Sequence, residues 1–391
     1  MEFERLKYLE YLRSRPFWIV FLFPIAAVVV FGVNSGSVGP MIQPDEGSYL
    51  ANAAAIAGYS NDLASSYHAG YSLLLSPAFW AGWAPDQVWI VVKLINALLY
   101  GVSLFLFWLI SLQIAPEAPR RTIFISVCLV GLYPMWVVMV GYAFAQIAFV
   151  PAYSLLVYLY LRAVKSSHVG ISLLLGMVGG GLYWMHPTAS PVIVALLIAS
   201  LYWSVAARQP RFFVSVVLGL ATTVLLYKVT FHPWLQERMT IGDLPARLHY
   251  PSIESLLSRF LTLEGFSKLV SVAGGHVFYL LVGTGGAVAF AASHLAEGIL
   301  RSNSGIAIER VNRGFALLLL GSFVGVLCLS IIAMSSPSRL DHWIYGRYTE
   351  GVLAPLLLVA VLSPWRLRGS WVLIVAMGSA LLLLTGLKGF G

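Results

Sequence analysis

The residues able to do chemistry in this chain sit in a few short stretches. The first is Gln43-Pro44-Asp45-Glu46-Gly47-Ser48-Tyr49-Leu50, which sets two adjacent carboxylates just past the first hydrophobic segment. A charge beside a bilayer is costly and needs a partner or a task. A carboxylate within hydrogen-bond reach of an attacking hydroxyl can take its proton. That makes Asp45, with Glu46, the candidate catalytic pair. A plainer job also suits them: Asp45 capping a helix that starts near Ser48, with Glu46 favouring the helix dipole. The two jobs are compatible.

The second stretch, Asp341-His342-Trp343-Ile344-Tyr345-Gly346-Arg347-Tyr348-Thr349-Glu350, puts an arginine at the mouth of a late hydrophobic run. A guanidinium forks two donors onto phosphate oxygens and stays charged there, and Tyr345 and Tyr348 could flank a lipid headgroup. The alternative is an interfacial belt of aromatics with a local arginine–glutamate pair. The third stretch is Tyr183-Trp184-Met185-His186-Pro187-Thr188, where His186 could bond a phosphate or a hydroxyl, or be structural. Lys228 and His232 end another apolar run, and Lys228 could simply snorkel outwards. Glu46, His68, His186, His232 and His342 could suggest a divalent metal. No two of them have a helical ligand spacing, so a metal is possible but not favoured.

The elements that must position these residues are membrane helices. Of 391 residues 59% are hydrophobic and 10% charged, with mean hydropathy +0.84. A soluble domain carries about 25% charged residues. A crossing needs about 20 apolar residues. The runs that qualify, some of them short, are 16–36, 88–114, 121–139, 142–163, 168–185, 188–206, 212–231, 269–292, 314–334, 348–363 and 369–387, eleven in all. The first run lacks a small-residue cleavage site and reads as an uncleaved span. Cys128 and Cys328 lie in apolar runs and make no disulfide framework. Gly179-Gly180-Gly181 and Gly283-Thr284-Gly285-Gly286 also fall in apolar runs, where glycine suits close helix packing.

Charge orients the bundle. With the N-terminus inside, 15 of the 24 basic residues fall on inner loops and 10 of the 16 acids fall outside. This matches the positive-inside rule, predicts an N-in, C-out protein, and accounts for the net charge of +8 without a nucleic-acid partner. Three outer segments are then long or polar. Residues 37–87 form a first outer loop with a helical run, Ser48 to Ala57, and a second, Tyr71 to Trp83, suited to the headgroup layer. Residues 232–268 form a second outer loop with short helices, and 335–350 a third segment. The whole of 1–391 reads as one transmembrane domain.

At this point the chain resembles the GT-C superfamily of polyprenyl-phosphate-sugar-dependent glycosyltransferases, which includes the protein O-mannosyltransferases and the aminoarabinose transferases. The likeness rests on Asp45-Glu46 after the first span and on Tyr67-His68-Ala69-Gly70-Tyr71-Ser72-Leu73-Leu74-Leu75 in a long first loop. It rests also on short outer turns between the third and fourth spans, on Leu182 to Thr188, and on Tyr345-Gly346-Arg347-Tyr348 before a late span. The resemblance implies an inverting transfer of a sugar from a polyprenyl-phosphate donor to an acceptor hydroxyl on a glycan, glycolipid or protein. Asp45 would be the base, with Glu46 beside it. Arg347 matches a residue expected near the lipid phosphate, and His186 is a second match. By their own types and places Lys228 and Tyr345 join them as candidates for binding the donor phosphate, and His68, His342 and Glu350 are candidate acceptor or sugar contacts. No cofactor is implied beyond the lipid-linked donor. The active site would face the periplasm or cell exterior of a bacterial plasma membrane. Many members carry an acid near the start of the fourth span; here that stretch reads Gly141-Tyr142-Ala143-Phe144-Ala145-Gln146.

A flippase or transporter of lipid-linked sugars shares the hydrophobicity and the phosphate-binding arginine. It would keep functional charges near the bilayer midplane, whereas here they gather at the outer surface. A membrane scaffold would give no reason for both the Asp45-Glu46 pair and the Arg347 cluster.

Overall fold

The computed structural model describes residues 18–37, 39–40, 44–59, 67–239, 261–301, 307–335, 346–363 and 378. Among them every regular element is helical. In chain order these are α1 (Trp18–Val33), α2 (Pro44–Ile56), α3 (Gly70–Leu75), α4 (Pro85–Ile114), α5 (Arg120–Gly131), α6 (Pro134–Met139), α7 (Gln146–Ser166), α8 (Val169–Met185), α9 (Ala189–Ala206) and α10 (Pro210–Leu226). A π turn, Tyr227–Phe231, carries α10 on into α11 (His232–Met239). There follow α12 (Leu263–Gly283), α13 (Ala287–Arg301), α14 (Ala307–Met334), a 3-10 turn Arg347–Val352, and α15 (Leu353–Leu362).

Six helical stretches among the described residues are long and apolar enough to cross a membrane: Pro85–Ile114, Gln146–Ser166, Ala189–Ala206, Pro210–Arg238, Leu263–Gly283 and Arg313–Met334. Shorter apolar helices (Leu22–Val33, Val169–Met185 and Ala287–Leu300) accompany them. The chain is a multi-pass membrane protein. Helix α7 lies in the middle, mostly buried, against α4, α8 and the Arg347–Val352 turn. The tightest crossing joins α8 to α10. A β-carbon on Gly176 would fall 2.0 Å from the Val216 carbonyl oxygen, and one on Gly219 would fall 2.1 Å from that of Leu173. Only glycine lets two backbones come that close.

Several expected spans have different limits. The run 121–139 is two helices, because Pro134 cannot continue α5 and instead starts α6. The run 142–163 becomes helical only at Gln146, leaving 141–145 free to approach the site. The run 269–292 breaks after Gly283. There Gly285 (φ 56°) and Gly286 (φ 80°) adopt left-handed backbone, so that glycine cluster makes a turn and does not pack helices. The run 369–387 lies outside the described residues apart from Gly378.

The first loop packs one face of its 71–83 run against the protein and leaves the other face open. Trp80 and Trp83 are exposed, but Tyr71, Leu75 and Ala78 are fully buried. Lys93 of α4 ties the loop's start down. Its Nζ donates to the Asn34, Ser35 and Ser37 carbonyls, just beyond α1, at 3.2, 3.3 and 2.7 Å. Of the second loop, α11 and the start of α12 are described; residues 240–260 are outside.

Candidate active site

Arg347 and Asp45, 302 residues apart in sequence, meet as an ion pair in which Nη2 donates to Oδ2. The Tyr67 hydroxyl donates to the other carboxylate oxygen, Oδ1, at 2.7 Å. Both side chains keep some access, 21% for Asp45 and 13% for Arg347. Burial alone would raise the Asp45 pKa. The Arg347 charge and the hydrogen bonds from Tyr67 and Arg347 outweigh it and hold the carboxyl below its ordinary value. Burial, and then the Asp45 charge, push the Tyr67 phenol upwards, so it stays protonated and donating.

Local sequence explains the placement. Pro44 begins α2, so the helix starts four residues before Ser48, and Asp45 lies inside its first turn rather than capping it. Consecutive helical residues point about 100° apart, so the two carboxylates diverge. Asp45 faces Arg347, while Glu46, fully buried, accepts the Ala143 N–H at 2.9 Å. On the other side, the Thr349 N–H and hydroxyl both donate to the Gly346 carbonyl, at 2.9 and 2.6 Å, and close the 3-10 turn. Glu350, also fully buried, locks that turn. Its Oε1 accepts from the Tyr133 and Tyr279 hydroxyls at 3.0 and 2.5 Å, and its carbonyl accepts from Trp136 at 3.3 Å. A β-carbon on Gly351 would come 2.6 Å from the Phe149 ring, so the turn also packs tightly on α7.

Both halves of the pair are therefore tied to one segment, 133–144. The same segment supplies an aromatic face: the Arg347 guanidinium lies 5.0 Å from the Phe144 ring centroid and 5.4 Å from that of Tyr348. Tyr142 stacks on Phe144 at 5.3 Å and 5°.

The sequence matches no protein-family model and no curated protein. Solved structures do match. ArnT from Cupriavidus metallidurans bound to undecaprenyl phosphate aligns over 93% of this chain at 14% identity, with a TM-score of 0.50. The archaeal oligosaccharyltransferase AglB from Archaeoglobus fulgidus, in complex with an inhibitory peptide and a dolichol-phosphate, aligns over 95% at 13% identity, with a TM-score of 0.51. The chain has a GT-C-like fold. It spans 63% of ArnT and 55% of AglB, so both are longer proteins.

Within this GT-C-like fold His186 stands close behind the pair, its ring 5.1 Å from that of Tyr348. It is buried, and burial, followed by the Arg347 charge, pushes its pKa down to about 3. Its Nδ1 accepts the Thr188 N–H at 3.2 Å. The proton of the neutral ring is thereby assigned to Nε2, which can donate. Lys228 is exposed, with its ammonium 5.6 Å from the Tyr183 ring centroid. The His68 Nδ1 bonds the Tyr183 carbonyl. Burial is the main reason that His68 titrates below an ordinary imidazole, with His232 and Lys228 adding to it. In this arrangement Glu350 meets tyrosines inside the fold rather than an exposed acceptor surface. Tyr345 and His342 lie outside the described residues.

Three residues here received no role from the sequence. Tyr67 was visible only as the neighbour of His68 in the first-loop motif. Phe144 and Tyr142 occupy the stretch that lacks an acid, and nothing in their spacing points to Arg347.

Proposed function

We propose that the chain is an integral membrane glycosyltransferase. It moves a sugar from a polyprenyl-phosphate donor to an acceptor hydroxyl at the outer membrane face, with inversion and without a metal ion. The observation that carries this reading is the Asp45–Arg347 pair, partly accessible and locked in place from both sides, within a GT-C-like fold. ArnT has been captured with undecaprenyl phosphate and AglB with dolichol-phosphate. A polyprenyl phosphate is accordingly the lipid we assign to Arg347.

In the transfer, the acceptor oxygen bonds to the sugar C1 while its proton passes to Asp45. The bond from C1 to the phosphate oxygen breaks, and its electron pair stays on the phosphate. Attack from the face opposite the leaving phosphate inverts C1. Arg347 stabilises the charge that grows on the polyprenyl phosphate, and the His186 Nε2–H adds a neutral donor. Asp45 then loses its proton to water. In the resting site the two Asp45 oxygens hold a guanidinium and a phenol, and the positive charge that meets the phosphate in this reading is that of Arg347.

The resting pair also suggests an order of events. Donor phosphate competes with Asp45 for the same guanidinium. Its arrival removes the charge that holds the carboxyl pKa down and leaves Asp45 a stronger base.

The test is incubation of the purified protein with a panel of polyprenyl-phosphate sugars, following release of free polyprenyl phosphate, with Asp45→Asn alongside and with chelator present. Release by the wild type, unaffected by chelator and lost in the variant, is expected. Full activity in Asp45→Asn would sink the assignment of the base.

A further inference from the structure

A second polar cluster surrounds the π turn between α10 and α11. The turn has a local cause. The Trp184 indole N–H donates to the Thr223 carbonyl at 2.9 Å, and the Tyr227 N–H divides itself between Thr223 and Val224. A side chain entering the ladder disturbs the helical register, and such π turns recur at functional sites. The Tyr227 hydroxyl is in turn pinned by the Ala69 N–H at 3.3 Å.

The rings of Tyr183 and Tyr227 stand perpendicular, 6.0 Å apart. His68 lies against both, at 4.8 and 5.5 Å. Lys228 sits over Tyr183 at 5.6 Å and His232 against Tyr227 at 5.5 Å. With its Nδ1–H given to the Tyr183 carbonyl, His68 keeps Nε2 as an acceptor. The neighbours of Lys228 are apolar and open: Leu225, Leu226 and Val229 are 58%, 51% and 70% exposed. Trp184 and Phe231 stack nearby at 5.3 Å, a pairing suited to the membrane interface.

We propose that Lys228 and His232, backed by His68, form a second anion site that takes the phosphate headgroup of a membrane lipid. Lys228 supplies the charge, His232 an N–H, and His68 Nε2 an acceptor for a headgroup hydroxyl. The lipid chains run over Leu225, Leu226 and Val229, which is why the source is a lipid and not free phosphate. The site shares no residue with the Asp45–Arg347 pair, yet adjoins it: Tyr67 touches Asp45, and the next residue, His68, belongs to this cluster. Under the transferase reading it would anchor a phosphate-bearing lipid acceptor, but binding here does not depend on that reading.

The full chain in neutral detergent is titrated with dioleoyl phosphatidic acid, dioleoylglycerol and inorganic phosphate, and retained ligand is measured by native mass spectrometry. Phosphatidic acid is expected to bind and dioleoylglycerol not to. The double variant Lys228→Ala, His232→Ala should weaken phosphatidic acid binding by about tenfold or more, since bonds to charged groups are lost. Its melting temperature should stay that of the wild type. Lys228→Arg should retain binding, and so should Arg347→Ala. The proposal is overturned if the double variant binds as the wild type does, or if dioleoylglycerol binds equally well. It is equally overturned if free phosphate competes on equal terms, or if Arg347→Ala alone removes the lipid.

Discussion

At the scale of residues, the site pairs two opposite charges, Asp45 and Arg347, that stand 302 positions apart in the chain. Asp45→Asn should cut transfer about 100- to 10,000-fold, the usual worth of a positioned base. Removing the carboxylate also takes away one competitor of the donor phosphate for Arg347, so binding of undecaprenyl phosphate, measured by native mass spectrometry, should hold or tighten. A loss of binding would mean that Asp45 positions the donor instead of serving as base. The pH profile follows from the sign of the shift. A carboxyl held below its ordinary value stays ionised as pH falls, and the pair is lost only when pH drops through that lowered value. The acid limb of kcat/KM reports the free enzyme, and that of kcat reports the complex. If donor phosphate takes Arg347, the kcat limb lies at higher pH. Coincident limbs would show that Asp45 keeps its arginine throughout.

At the scale of elements, segment 133–144 is the common anchor. It ties α2 through Glu46 and Ala143, and the Arg347 turn through Tyr133, Trp136 and Glu350. Glu46→Ala strands a buried N–H and should cost about 1–3 kcal/mol, with Glu46→Gln much milder because an acceptor oxygen remains. Thermal melting of the two variants separates this from a direct part in catalysis, for which both would lose activity at unchanged stability. The α8–α10 crossing gives a second case. Gly219→Ala places a β-carbon against a carbonyl and should cost about 1–3 kcal/mol by overpacking. Gly181→Ala, with open space around it, should leave the melting temperature unchanged.

At the scale of the molecule, the bundle brings one loop, one late turn and the ends of α8 and α10 to the same end. The charge bias of the loops is the ground on which we propose that this end faces outside. In a chain with Cys128 and Cys328 replaced by Ser, a cysteine at Trp83 should react with a membrane-impermeant maleimide on intact cells. One at Arg208 should react only after lysis. The reverse pattern would invert the topology and move the site to the other face.

Hydrophobic runs and loop charge by themselves determined that this is a multi-pass helical protein. They did so because bilayer thickness and the cost of unpaired backbone leave a chain so apolar few other choices. The types of Asp45 and Arg347 marked them as candidates for the same reason: charge at an interface is expensive and therefore conspicuous. Tertiary structure decided the rest. Only the fold could bring together residues 302 apart, turn Asp45 and Glu46 to different partners, or place Phe144 beneath a guanidinium. An aromatic residue carries no spacing signal for a partner on a distant helix. The breaks at Pro134 and at Gly285-Gly286 likewise escaped the hydropathy pattern, because mean apolarity is blind to where a backbone must turn.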